Sequence, residues 1–427
     1  MLDRKFIVEN VQAVMQNCQN RGVTADVDAL VAMESTRRAL LQQVQDLNRQ
    51  ANEVSKSIGK AKDAEEREAR KDEGRRLREA KDAAQLEHDE LDGRIAEIQT
   101  CLPNMSHPDA PIGKDDKANL ELRRGHHEPR SFDFTPQDHV DLGTKLDLFD
   151  FEGGARTTGH GFYFLKNDAV LLELALQQFA VHLMIQEGFT PCVTPDIARN
   201  EILYGTGYQP RGEETQIYSI ENTDLSLVAT AEITLGGLFS DQVLEEADLP
   251  QKWCGISHCY RTEAGAHGRA TRGLFRVHQF TKVEMFAFTT PAQSDEMLDH
   301  FCELEGRIFD ELGIPYRVVD TATGDLGGPA YRKFDLEAWM PGRGENGAYG
   351  EVTSTSNCTD FQARRLNIRY KKKGEKGTHF VHTLNGTAVA ISRALIAVVE
   401  NYQQADGSVD VPKVLQPFVG KERITAR

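Results

Sequence analysis

Apolar residues at Leu40, Val44, Leu47, Ala51, Val54, Ile58 and Ala61 recur in alternating steps of four and three, a narrow heptad seam that predicts one long helix. A second seam at Leu77, Ala80, Ala84, Leu91, Ile95, Ile98 and Leu102 predicts another. The charged stretch DAEEREARKDEGRR lies between them and contains Gly74, so the simplest closure is an antiparallel helical hairpin turning near residues 63–74. About 30 residues per helix make an arm roughly 45–50 Å long. A dimerising coiled coil would show the same period, but two equal seams separated by one turn favour self-pairing. The stretch CLPNMSHPDAPIG then breaks helix with three prolines and a glycine and reads as a linker. It divides the chain into an arm, residues 1–105, and a second domain, residues 106–427.

The second domain has a different texture, with short strands, glycine-rich loops and few helices. Asp168–Glu187 reads as a helix stopped by Gly188, and GTAVAISRALIAVVENY as a mostly apolar helix buried on nearly every side. Strands before and a helix after predict an α+β fold, an antiparallel sheet backed by helices. Neither a GxxxxGK[ST] loop nor a GxGxxG after a strand occurs, so neither common nucleotide fold is indicated.

Period-two alternation along the segment from Phe275 to Met285 puts Arg276, His278, Phe280, Lys282 and Glu284 on one face and Phe275, Val277, Val283 and Met285 on the other. The second face belongs to the core. The first offers cations, an aromatic plane and a carboxylate in a row, and Arg261 with Glu263 share a face of the preceding strand. A solvated sheet face would also be charged, but Phe280 would be wasted there. The loop AGAHGRATRG has three glycines and two arginines in ten residues, which suits a cationic flap over phosphate or nucleic acid. Arg393, inside the apolar late helix, must meet an acid or an anionic ligand. Together with Arg261 and Arg276 it could clamp a polyphosphate. Thr230 and Glu232 in LVATAEITL, and Glu351, Thr353, Ser354, Ser356 and Asn357 in YGEVTSTSN, are polar where core is expected. A carboxylate beside hydroxyls can hold Mg²⁺ through oxygen, although a Ser/Thr-rich turn explains the second segment equally well.

Composition bounds these readings. With 427 residues, 27% charged, and a formal net charge of -16, the chain is too acidic to bind nucleic acid everywhere, which leaves room only for local basic stripes. No apolar run approaches the ~18–20 residues that span a bilayer, so no membrane is expected. The start, MLDRKFIVEN, lacks the features of a leader, and a cytoplasmic location is expected, or an organelle matrix had a presequence been removed. Seven cysteines without a CxxC pair read as free thiols in a reduced compartment.

Taken in order, the motifs resemble the class II aminoacyl-tRNA synthetases, and among them the seryl-tRNA synthetase family, over essentially the whole chain. EGFTPCVTPDI is similar to motif 1, with Pro195 at its dimer-interface proline. CYRTEAGAHGRATRGLFRVHQFTKVEMF is similar to motif 2, and NGTAVAISRALIAVVENYQ to motif 3 with its arginine at Arg393. The resemblance implies activation of L-serine with ATP and transfer to tRNA(Ser), and also to tRNA(Sec). It implies an ATP site of Arg261, Thr262, Glu263, Val277, Phe280, Glu351, Val352, Thr353, Ser354 and Arg393. Within it, Arg261 would grip the α-phosphate and the serine carboxylate, Glu263 the adenine amino group, Phe280 the adenine face, Arg393 the γ-phosphate. Arg276 would orient the phosphates, making Arg261, Arg276 and Arg393 the catalytic set. Glu351 and Ser354 would carry Mg²⁺. The implied serine site comprises Thr230, Ala231, Glu232, Arg261, Glu284, Asn357 and Thr387, with Glu284 receiving the hydroxyl and Glu232 with Thr230 the amine. The resemblance further implies a homodimer, and tRNA bound through the N-terminal arm and the motif 2 loop.

The chain departs from the commonest family pattern at Thr387, in EVTSTSN and in TTGHGF; Thr387 keeps the hydroxyl of the more frequent serine. Two alternatives are open at this point. A relative that charges a carrier protein should lack the arm, and a non-catalytic paralogue with a binding role should have lost one of Arg261, Glu284 or Arg393.

Overall fold

A computed structural model describes residues 1–208, 216–264 and 272–426. It divides into two compact units, Met1–Met105 and Ser106–Arg427.

The first unit holds four helices, α1 (Arg4–Glu9), α2 (Val11–Asn20), α3 (Val27–Ser57) and α4 (Ala64–Cys101). Aspartates start three of them: Asp3, Asp26 and Asp63 each accept backbone N–H groups that the first turn leaves free. α3 and α4 form the antiparallel hairpin, and α3 with its 31 residues is about 46 Å long. The turn comes earlier than the charge pattern suggests, in a 3₁₀ segment at Ile58–Lys60 closed by the Asp63 cap. Most of DAEEREARKDEGRR is therefore helix. Gly74 lies inside α4, buried, where a Cβ would stand 3.6 Å from Val54 Cγ1. Ala80, placed in the seam by its apolar character, is exposed; the least exposed stripe runs through buried Gly74, Ala84 and Ile95 and half-buried Leu77, Lys81, His88 and Leu91. Two of those heptad positions are polar. Lys81 is half-buried and pairs with Asp82 at 2.9 Å, and the His88 ring nitrogen meets Arg37 at 3.0 Å. The base of the arm has its own small core of Ile7, Val14, Val27, Leu30, Ile95 and Leu102.

The second unit carries a short helix, α5 (His139–Lys145), and is built on an eight-stranded sheet. In chain order its strands are β1 (Leu120–Arg124), β2 (Thr190–Val193), β3 (Gln251–Tyr260), β4 (Gln279–Thr289), β5 (Tyr316–Asp320), β6 (Arg332–Met340), β7 (Ala348–Asn357) and β8 (His382–Ala390). They lie in the spatial order β1-β5-β6-β7-β8-β4-β3-β2. All neighbours are antiparallel except β2 and β3. Alternation along central β4 feeds two layers. Val283, Met285 and Ala287 enter a large core with residues of α6 (Asp168–Gln186), α8 (Ser294–Glu311) and α10 (Ile391–Asn401). Phe286 and Phe288 enter a smaller one with α7 (Ala231–Gly237) and α9 (Phe361–Leu366). Phe280, Lys282 and Glu284 continue the face of Phe286, and there the sheet turns polar.

Two expectations change. The segment read as one long apolar helix is half strand: GTAVA completes β8, and the helix begins at Ile391 with Ala390 as its N-cap. Being buried on both faces, that strand carries no polar alternation to betray it. By length and composition α6 alone among the described helices could cross a membrane, contrary to the expectation that no apolar run is long enough. Its inner face packs in the core, while Val170, Leu171, Leu174 and Ile185 are exposed. All seven cysteines are free.

Candidate active site

Above the polar face of β4 lies a cavity of about 660 Å³. Its deep end is acidic. Glu232 stands in the first turn of α7, which Thr230 caps by accepting the Glu232 N–H at 3.2 Å. The Glu232 carboxylate is buried and held from three elements: Gln362 Nε2 donates at 2.7 Å, Asn385 Nδ2 at 3.0 Å, and the Tyr208 hydroxyl at 3.1 Å. Burial raises its pKa, and the Gln362 hydrogen bond and the charge of Lys282 work against that rise. Glu284 is 1% exposed and forms an ion pair with Lys282, the next residue along the same face of β4. Burial still pushes its pKa up to about 7, opposed by Lys282 and aided by the neighbouring Glu232. Lys282 also donates to the Thr387 hydroxyl at 3.4 Å, and Thr387 pairs directly with Glu284 across the β4–β8 register. Two buried carboxylates flanking one ammonium leave a surplus of acceptors, a setting for a small cationic, hydroxylated ligand.

The outer part is cationic and aromatic. Arg261 leaves β3 with its guanidinium carbon 5.4 Å from the centre of the Phe280 ring, and among the described residues it has no ion pair. Glu263 adopts a left-handed φ of 51°, which turns the chain away from the strand; its carboxylate accepts from Arg276 at 3.3 Å. Arg393, in the first turn of α10, donates to the backbone carbonyls of Glu351 at 2.9 Å and Phe275 at 3.3 Å and pairs with the Glu351 carboxylate at 3.1 Å. Burial opposes ionisation of Glu351, but Arg393, Lys333 and Arg261 outweigh it and hold the group at about 2.

Simple alternation would put Glu351 and Ser354 on opposite faces of β7. They share one because the register against β6 slips between Leu336 and Glu337, where Val352 forms a bulge. A similar slip between Thr387 and Val389 keeps Thr387 and Ala390 together on β8. The Glu351 side chain is 45% exposed to the cavity, and Ser354 is half-buried beside it. No cluster of three or more His, Cys, Asp or Glu suited to a metal occurs among the described residues. One ionised carboxylate and one hydroxyl fit a hard cation that takes its remaining oxygens from phosphates and water.

Of the residues singled out in the sequence, Glu232, Arg261, Glu263, Arg276, Val277, Phe280, Glu284, Glu351, Val352, Thr353, Ser354, Thr387 and Arg393 all line this cavity. The Thr353 hydroxyl is buried in the wall. Four residues of the implied ATP and serine sites do not line it. Thr230 and Ala231 are buried behind Glu232, and the Thr262 N–H is tied to the Gln216 carbonyl at 3.1 Å. Asn357 is fully buried, donating to Asp295 at 3.0 Å and accepting from the Thr359 N–H at 2.8 Å. The alternation proposed for residues 275–278 also gives way, because β4 starts only at Gln279: Phe275 and Val277 line the cavity beside Arg276. His278 faces elsewhere, stacked on Phe162 and bonded to the Tyr218 hydroxyl at 2.6 Å. Tyr208, Gln362, Asn385 and Lys333 were not anticipated; they come from separate elements and carry no local pattern. Residues 265–271 of the glycine-rich loop lie outside the described residues.

Comparison with known proteins agrees with this arrangement. Residues 1–106 match the family described as the seryl-tRNA synthetase N-terminal domain, and residues 216–402 the tRNA synthetase class II core domain (G, H, P, S and T). The serine–tRNA ligase of Rhodopirellula baltica is 62% identical over 420 residues, covering 98% of each chain. That of Rubrobacter xylanophilus is 54% identical, covering 99% of each. The crystal structure of seryl-tRNA synthetase from Pyrococcus horikoshii complexed with ATP superposes with a TM-score of 0.94 at 38% identity, over 100% of both chains. The cytoplasmic serine–tRNA ligase of Naegleria fowleri, in complex with AMP, gives 0.88 at 32% identity, covering 100% of this chain and 99% of that one. With a long helical arm, an antiparallel sheet and these matches along its whole length, the chain belongs to the seryl-tRNA synthetases, the serine–tRNA ligase family of class II aminoacyl-tRNA synthetases.

Proposed function

We propose that the cavity joins L-serine to ATP, forming seryl-adenylate and releasing pyrophosphate, and that the seryl group then passes to the 3′-terminal ribose of tRNA(Ser) and tRNA(Sec). The observation that carries this reading is one continuous cavity with an acid-rich deep end and an arginine-rich, aromatic outer part, joined at Arg261. The buried pair Glu232 and Glu284 suits an ammonium group and a hydroxyl. Arg261, free of an ion pair among the described residues, is available to a carboxylate and a phosphate at once. Phe280 offers a ring face to adenine, and Glu263 an acceptor for its amino group.

A serine carboxylate oxygen attacks the α-phosphorus, the bond to the bridging oxygen of pyrophosphate breaks, and the electron pair leaves with pyrophosphate. Positioning and neutralisation of charge carry such a step, so arginines line the site and no enzyme nucleophile is required. Arg261 holds attacking and attacked groups together, while Arg276 and Arg393 take the phosphates that depart. Glu351 and Ser354 would hold Mg²⁺, whose charge would offset that of the phosphates.

The exposed apolar residues of α6 and the 79% exposure of Val193 on edge strand β2, both next to or within the motif 1 segment, support a homodimer through this face. The charged outer faces of the hairpin support an arm that reads tRNA by shape and phosphates, with the motif 2 loop as a second contact. Adenylate formation with serine, alanine and threonine tests the amino-acid assignment. Wild type should strongly prefer serine over alanine, because alanine leaves Glu284 without the hydroxyl it accepts. A Glu284→Ala variant that keeps the full preference would overturn it.

A further inference from the structure

Three guanidinium groups gather around the outer wall formed by Phe275. Arg276 pairs with Glu263 at 3.3 Å and Arg393 with Glu351 at 3.1 Å. The third, Arg343, comes from the loop between β6 and β7; its N–H donates to the Met340 carbonyl at 3.1 Å, but its guanidinium has no hydrogen bond or ion pair among the described residues. Its guanidinium carbon lies 4.2 Å from the centre of the Phe275 ring, against which that of Arg393 lies at 4.7 Å. Room for it exists because residue 350 is glycine. A Cβ at Gly350 would stand 2.3 Å from Arg343 Nη1 and 3.1 Å from Phe275 Cε2.

This half-buried charge stands among like charges. Burial and the field of Arg393 lower its pKa, with a smaller push from Arg276, against the opposing charges of Glu337 and Glu400. Both acids are committed elsewhere. Glu337 pairs with Arg317 at 2.6 Å, and Glu400 accepts from His139 Nδ1 and from the Gly342 N–H, each at 2.9 Å. A side chain needed only to cover Phe275 would not have to be cationic, and Arg393 already lies against that ring. Three guanidiniums with two acids between them match a ligand that brings its own negative charge.

We infer that Arg343 is a further phosphate-binding residue, engaging the β- and γ-phosphates of ATP, and so the pyrophosphate product, alongside Arg393. The inference rests on the reading of this cavity as an ATP site. A planar five-donor fork suits terminal phosphate oxygens, and binding would supply the missing anion.

The test is binding to the full-length protein without serine, by titration calorimetry with ATP, pyrophosphate and AMP, for wild type, Arg343→Met and Arg343→Lys. Methionine keeps an unbranched apolar cover on Phe275 and removes only charge and donors. It should weaken ATP and pyrophosphate by about 10- to 100-fold and leave AMP unchanged. Lysine should recover part of the loss, and Gly350→Ala, which crowds Nη1, should shift ATP in the same direction as methionine. Equal weakening of ATP and AMP, accompanied by a lower thermal midpoint, would reduce Arg343 to a prop for Phe275 and overturn the inference. So would unchanged binding of all three ligands. Because serine is absent from this measurement, an error in the amino-acid assignment does not alter its result; a wild type that binds none of the three ligands would instead fault the ATP site itself.

Discussion

Replacing Phe280 by alanine tests the adenine site with little collateral change. Phe280 is half-buried on β4, and its backbone pairs with Cys259 on β3, a pairing that alanine preserves. Two things are lost. One is a ring face for the base, worth roughly 1–3 kcal/mol if it stacks as aromatic residues do on nucleobases elsewhere. The other is the contact with Arg261, whose guanidinium carbon is 5.4 Å from the ring centre. At such a partly exposed site this contact adds roughly 0.5–1 kcal/mol to the placement of the arginine. The sum corresponds to a rise in the KM for ATP of between ~10-fold and ~1,000-fold. ATP–pyrophosphate exchange at saturating serine measures it. The KM for serine should change far less, because Glu232, Glu284 and Thr387 lie deeper in the cavity. An unchanged KM for ATP would refute the assignment of this face to adenine, and an equal rise for ATP and serine would show a general collapse of the site.

Three more outcomes follow from the same geometry. With the Glu284 pKa raised to about 7 by burial, the acceptor carboxylate is present above that pH and lost below it; kcat/KM for serine should therefore fall about tenfold per unit below pH ~7 and level off above, with the inflection absent in Glu284→Gln. A flat wild-type profile would contradict this. Light scattering at micromolar concentration should give twice the chain mass, and Leu174→Asp on the exposed side of α6 should shift it toward the monomer; a fully active wild-type monomer would sink the dimer. Replacing Leu41 to Ala83 by a short Gly/Ser linker removes the outer arm while sparing the base core of Ile7, Val14, Leu30 and Ile95. Adenylate formation should persist and tRNA charging should slow greatly, with a shallower salt dependence of the remaining tRNA affinity.

The polar face of β4 was legible because a strand that is core on one side exposes its chemistry by simple alternation. That rule failed where its premise did. Residues 275–278 precede the strand, so Phe275 and Val277 join the cavity and His278 leaves it. Glu351 and Ser354 meet only through a bulge that no local pattern announces. The first arm seam was legible from Leu40 to Val54, with Ile58 falling in the 3₁₀ turn and Ala61 at its end instead of in the helix, whereas the second was misplaced at Ala80 because Lys81 and His88 occupy apolar positions of the heptad. The partners of Glu232, namely Tyr208, Gln362 and Asn385, are far apart in the chain and ordinary in their own segments, so only the folded structure brings them to one carboxylate.

The central claim is that this cavity makes seryl-adenylate for transfer to tRNA. Its most direct test is charging of total tRNA with labelled serine and ATP by the purified full-length protein. The account predicts label esterified to the 3′ end of a serine-accepting fraction, dependent on ATP and abolished by Arg261→Ala. Absence of serine charging, or equal charging with alanine or threonine, would contradict it.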